Sequence, residues 1–214
     1  MDFGVADPGH YSDSIWRGTV IDFFVEWFPI LLILAATMII LISQQWRESI
    51  IALFVQYLAV FWITAQVWPL GLAAVKLVTG WMAVTIISTS QGRNAIVEKS
   101  DESIQGQRFR LISAVIVWVI VFVLAPSLSA WFPAKQNVLI GGMLLIGIGL
   151  LQLGMNSRPG RISIGLLTVF SGFEIYYAAV EKSVLVTGLL AMITLGLAFT
   201  GAILINKDHP EEQE

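Results

Sequence analysis

Lys76 lies inside the apolar run that opens at Pro69, and Glu174 lies inside another that opens at Ile162. A charged side chain at the centre of a bilayer costs about 2.5–3.5 kcal/mol on insertion scales, so such residues are rare and mark pairs, relays or ion paths. Two of opposite sign in one small chain point to a charge pair or a proton relay. Burial and a neighbouring opposite charge act on such a carboxyl in opposing senses, so a small change in its surroundings moves its proton.

The residues at helical spacing around the two charges differ. Lys76 is flanked by Leu72, Ala73, Thr79, Gly80 and Ala83, a mostly small face that lets another helix approach closely and turns the ammonium into the bundle. Glu174 stands on a stripe of Ser163, Leu167, Ser171, Tyr177, Ala178 and Glu181, partly polar from end to end. Gln56 and Tyr57, with Thr64 further along the same run, add polar groups. The candidate proton-pathway residues are therefore Lys76, Glu174, Ser171, Tyr177, Glu181 and Gln56. The competing reading is a static salt bridge that locks two helices, since buried pairs are often structural and need not stabilise much.

Other features read as packing or interface. Asp22 and Glu26 share a face at the outer end of the first run and read as solvated interfacial residues. Gly141, Gly142, Gly147, Gly149 and Gly154 form no strict GxxxG, follow no strand, and read as close helix contacts rather than a phosphate loop. Thr187 and Thr194 read as helix-packing hydroxyls. No Walker, GxSxG or HExxH motif occurs, so no catalytic residues are assigned and an independent enzyme is not expected.

The elements that must position the two charges follow from composition. Hydrophobic residues make up 57% of the 214 positions and charged residues 13%, where a soluble domain carries about 25% charged. The deficit lies in long uninterrupted runs, each near the twenty residues or so that cross a bilayer. Seven spans fit: Ile21 to Ser43, Ser49 to Val67, Pro69 to Ser90, Arg110 to Trp131, Asn137 to Met155, Ile162 to Glu181 and Ser183 to Ile205. The expected fold is all-α and polytopic. A polar N-terminal segment (1–20) with a turn at Asp7-Pro8-Gly9 precedes the seven-helix domain (21–205). One long polar loop (91–109) interrupts it, Pro126 kinks the fourth span, and an acidic tail (206–214) follows.

The first eighteen residues carry Asp2, Asp7 and Asp13 and lack a basic n-region, so the first run is expected to be retained as a span rather than cleaved as a signal peptide. Eight basic residues (Arg47, Arg93, Lys99, Arg108, Arg110, Arg158, Arg161, Lys207) fall on one side of this topology and three (Arg17, Lys135, Lys182) on the other. The positive-inside rule then puts the N-terminus outside and the C-terminus in the cytoplasm, and the expected location is the inner (plasma) membrane. Trp16, Trp27, Trp68 and Trp131 fall near the outer interface and Trp46 near the inner one, as aromatic belts require. Trp62, Trp81 and Trp118 lie deeper. With α-helical rises of about 1.5 Å per residue, Lys76 and Glu174 both come about 10–12 Å from the outer ends of their spans, at a shared depth.

Several functions are excluded. The chain has no cysteine, which removes thiolate-held iron–sulfur clusters, disulfides and thiol catalysis. His10 and His209 are its two histidines and both are terminal, so a bis-histidine haem within the bundle is not available. No metal site and no cofactor are expected, and a net charge of −3 argues against a nucleic-acid partner.

The stretch from Leu70 to Val78, with Lys76 inside a late-starting third helix, resembles the E component of hydrogenase-4 and formate-hydrogenlyase complexes. Gly165 to Glu174, followed by Glu181 and a final apolar helix, is similar to that family's C-terminal part, itself related to the K subunit of respiratory complex I and the C subunit of multisubunit cation/proton antiporters. The resemblance implies a non-catalytic membrane-arm subunit of an oxidoreductase assembly. Its expected partners are larger antiporter-like membrane subunits and peripheral redox subunits, with Lys76 and Glu174 contributing to proton or cation translocation. The alternatives are a non-conducting scaffold subunit and an independent small transporter.

Overall fold

A computed structural model describes residues 8–43, 45–91, 104–129, 131 and 134–207, with side chains described from Val25 onward in the first helix and from Gly106 in the fourth. Asp7, most of the polar loop, the end of the acidic tail, and the side chains of Trp16, Arg17 and Asp22 lie outside the described residues. The described chain is all-helical. Its elements are α1 (Pro8–Ile42), α2 (Trp46–Ala65), α3 (Leu70–Gln91), α4 (Ile104–Ser129), α5 (Gln136–Met155), α6 (Pro159–Val180) and α7 (Val184–Lys207). All seven are long and apolar enough to cross a membrane.

Two helices, α1 and α4, begin more than a full turn earlier than hydropathy places them. Pro8 and Gly9 belong to α1 rather than to a turn. Proline suits a first helical turn, where its missing N–H would have no partner, and adding residues to an existing helix is far easier than nucleating a new one. For the same reason α4 takes in Ile104 to Phe109, which the polarity of the segment assigns to the loop. Hydropathy measures the apolar slab, not the helix that runs through it.

The helices stack in two staggered layers. α1, α2 and α3 lie side by side in one, and α4, α5, α6 and α7 in the other. α1 rests over α4 and α5, α2 over α5 and α6, and α3 over α6 and α7. One apolar core lies between α1, α2, α4, α5 and α6 around Ile33, Ile63, Val121, Leu144 and Ile175. A second lies between α2, α3, α6 and α7 around Leu53, Val84, Leu167 and Ala198. α4 is the outlier, with Ile112, Val115, Ile116, Val119 and Val123 all exposed.

Side chains tie the layers at both ends. At the leading end, around Val25 and towards the start of α1, Asn137 donates from Nδ2 to Gln66 Oε1 at 2.9 Å, and Gln66 donates to the Val25 carbonyl at 3.3 Å. Lys135 pairs with Glu26 there at 3.1 Å, both well exposed, in keeping with the interfacial role expected of Glu26. At the opposite, trailing end, buried Arg110 donates to the Leu41 carbonyl at 3.3 Å and to Asn156 Oδ1 at 3.4 Å. Leu41 is in the last turn of α1, whose carbonyls have no partner within the helix, so Arg110 supplies one from α4.

Candidate functional site

The orientation of α6 decides which groups meet inside the bundle. Gly172 faces Gly142 of α5, and a methyl added to it would come within 2.7 Å of the Gly142 carbonyl oxygen. One heptad away, Gly165 faces Gly149, where an added methyl would meet the Val169 backbone nitrogen at 2.8 Å. These two contacts seat one face of α6 directly against the α5 backbone. Glu174 comes two residues after Gly172, about 200° round the helix at 3.6 residues per turn, so the same contacts turn it away from α5 towards α3 and α7. The close-packing role expected of the span-five glycines is seen at Gly141, Gly142, Gly147 and Gly149, while Gly154 has open space beside it.

Lys76 of α3 meets Glu174 there. The ammonium donates to Glu174 Oε1, and each side chain is 2% exposed. Thr194 of α7 donates to the same oxygen at 3.2 Å. Three helices from the two layers therefore converge on one carboxylate oxygen. The shared depth expected from the sequence is realised as direct contact.

Two further polar positions follow along α6, each three residues and about 4.5 Å further towards the trailing end. Ser171 donates within its own helix to the Leu167 carbonyl at 2.7 Å, and the buried Tyr57 side chain of α2 packs in the same cluster as Leu167. Gln56 of α2 donates from Nε2 to Thr168 Oγ1 at 3.4 Å, while the Thr168 hydroxyl has the Ile164 carbonyl of its own helix at 2.9 Å as its nearer acceptor; both side chains are buried. Tyr57 sits over Gly80 of α3, one turn beyond Lys76, where any Cβ would strike its ring. Glycine at that position is what admits the aromatic ring beside the pair.

The remaining candidates stand apart. Tyr177, one turn nearer the leading end than Glu174, packs edge-on against Trp68 with ring centroids 6.5 Å apart. Its hydroxyl is buried and has no hydrogen-bond partner among the described residues. Glu181 is exposed just past the end of α6, where its side chain accepts from the Lys182 backbone N–H at 3.2 Å and its carbonyl accepts from Trp68 Nε1 at 3.1 Å. Thr64 is buried but donates to its own helix at Val60 and Phe61. Among the described residues, side chains of α6 are therefore hydrogen-bonded to neighbouring helices at Glu174 and Thr168 and not at Tyr177 or Glu181.

Two participants escaped the sequence reading. Thr168 lies off the stripe traced from Ser163 through Glu174, and it joins the site because α2 packs over that flank of α6. Thr194 was read as a packing hydroxyl, and nothing in its apolar surroundings marks it out. Its pairing with Glu174 follows from how α7 lies beside α6.

The chain matches no family model, no curated protein and no solved structure.

Proposed function

We propose that this protein is a multi-pass subunit of the inner (plasma) membrane, with its N-terminus outside and its C-terminus in the cytoplasm. In this reading it belongs to the membrane arm of a complex I-like or hydrogenase-4-like assembly, beside larger antiporter-like subunits and below peripheral redox subunits. It contributes Lys76 and Glu174 to proton translocation. The observation that carries the reading is the convergence of Lys76, Glu174 and Thr194 in the interior, with the Gln56–Thr168 pair further along α6. A carboxylate with a cation and a hydroxyl on one oxygen has the parts needed to take up and release a proton, and apolar helices around it exclude competing water. Seven helices of spanning length support the membrane assignment, and the eight-to-three distribution of basic residues supports the orientation.

The decisive experiment is redox-driven proton uptake by inverted vesicles that contain the assembled complex. Lys76→Ala and Glu174→Gln each lower uptake severalfold while the complex keeps its size on native gels. Undiminished uptake in both variants overturns the reading. The scaffold reading rests on the same contact, because an ion pair between α3 and α6 also ties the two layers together. It makes the opposite forecast: each single variant loses the assembled complex, and the exchange Lys76→Glu with Glu174→Lys regains it.

A further inference from the structure

Thr194 carries one hydroxyl proton and has two acceptors within reach, Glu174 Oε1 at 3.2 Å and the carbonyl of Leu190 in its own helix at 3.0 Å. It can serve one at a time. A donor to an ionised carboxylate makes a charge-assisted bond roughly twice as strong as a neutral one. With the carboxylate charged, the proton belongs on Glu174. Once Glu174 is neutral that advantage is gone, and the carbonyl one turn back is the better acceptor. Hydroxyls bonded to the carbonyl four residues earlier tend to bend their helix, so the choice also bears on the shape of α7.

We propose that Thr194 is a positioning residue that reports the charge of Glu174 to α7, turning its hydroxyl from the carboxylate to Leu190 when Glu174 takes up a proton. The inference rests on the reading that Glu174 changes protonation, and it adds a third helix to that event. Lys76 approaches the same oxygen from α3, so a hydroxyl that lets go of Oε1 leaves the ammonium as its remaining described donor. Thr194 is 2% exposed, which shields this exchange from bulk water.

The test is infrared titration of the full-length protein in phospholipid nanodiscs, with the Glu174 carboxyl band assigned by its loss in Glu174→Gln. Thr194→Val keeps the shape and removes the hydroxyl. It should raise the protonation constant of Glu174 roughly 10- to 150-fold, the worth of one hydrogen bond to a charged group, while Thr194→Ser stays within about twofold of the wild type. If valine yields no folded protein, Thr194→Ala is read in its place. A Glu174 band that titrates identically with and without the hydroxyl overturns the role of Thr194. A Glu174 carboxyl that never titrates in the unaltered protein instead overturns the proton-carrying reading on which it stands.

Discussion

An ammonium offers three donors and a carboxylate accepts on two oxygens, so a buried Lys–Glu contact is coupled to whatever else reaches those atoms. Removing one partner of a buried pair leaves an uncompensated group and costs about 3–5 kcal/mol, whereas replacing both with apolar residues of similar volume is often close to neutral. Lys76→Met alone should therefore destabilise the protein by about that amount, and Lys76→Met combined with Glu174→Leu by less than either change alone. Reversible unfolding in mixed micelles measures the cycle, and strictly additive losses would mean that the two side chains are energetically independent. At this scale the sequence was informative where a residue is improbable in its setting. Lys76 and Glu174 stand out because charges in apolar runs are rare. Thr194 does not, because threonine in an apolar helix ordinarily bonds its own backbone, as Thr64 and Thr187 do.

Helix-scale behaviour turns on the glycines that set α6 against α5. Gly172→Ala forces a methyl towards the Gly142 carbonyl, and overpacking of this kind costs about 1–3 kcal/mol. Gly188→Ala and Gly196→Ala in α7 meet nothing within 4 Å and should leave the midpoint unchanged or slightly raised, since alanine is the better helix former. Thermal unfolding of the three variants separates them, and a loss at Gly196 equal to that at Gly172 would contradict the packing described. Because α6 is held by its glycine face, Gly172→Ala is also expected to disturb the Lys76–Glu174 contact on its far side. The number of helices was readable from hydropathy, since each apolar run had to become one. Their ends were not: Pro8 and Ile104 begin helices whose first turns are polar, and polarity alone does not stop a helix already under way.

The molecule as a whole is two layers, each drawn from one continuous stretch of chain, and although the short junction at Glu181-Lys182 marks α6 and α7 as a hairpin, nothing in the sequence identifies α3 and α6 as neighbours. Periodicity marks the face a helix buries but not the partner it buries it against. The proposed orientation can be checked directly, because a chain without cysteine accepts single reporters. Ser157→Cys, in the connection between α5 and α6, should react with a membrane-impermeant maleimide only in inverted vesicles. Lys182→Cys, between α6 and α7, should react only in right-side-out ones. Labelling of both from the same side would contradict the alternation of the helices across the membrane.

The layered plan also bears on how the chain is made. Lys76 belongs to the first layer and its counter-ion to the second, 98 residues later. At about 5–20 residues per second, the ribosome takes roughly 5–20 s to deliver Glu174 after Lys76 has emerged. On the proposed membrane reading, the cation of the third helix waits through that interval for its counter-ion, shallow, tilted or sheltered by the insertion machinery, until the sixth helix supplies it.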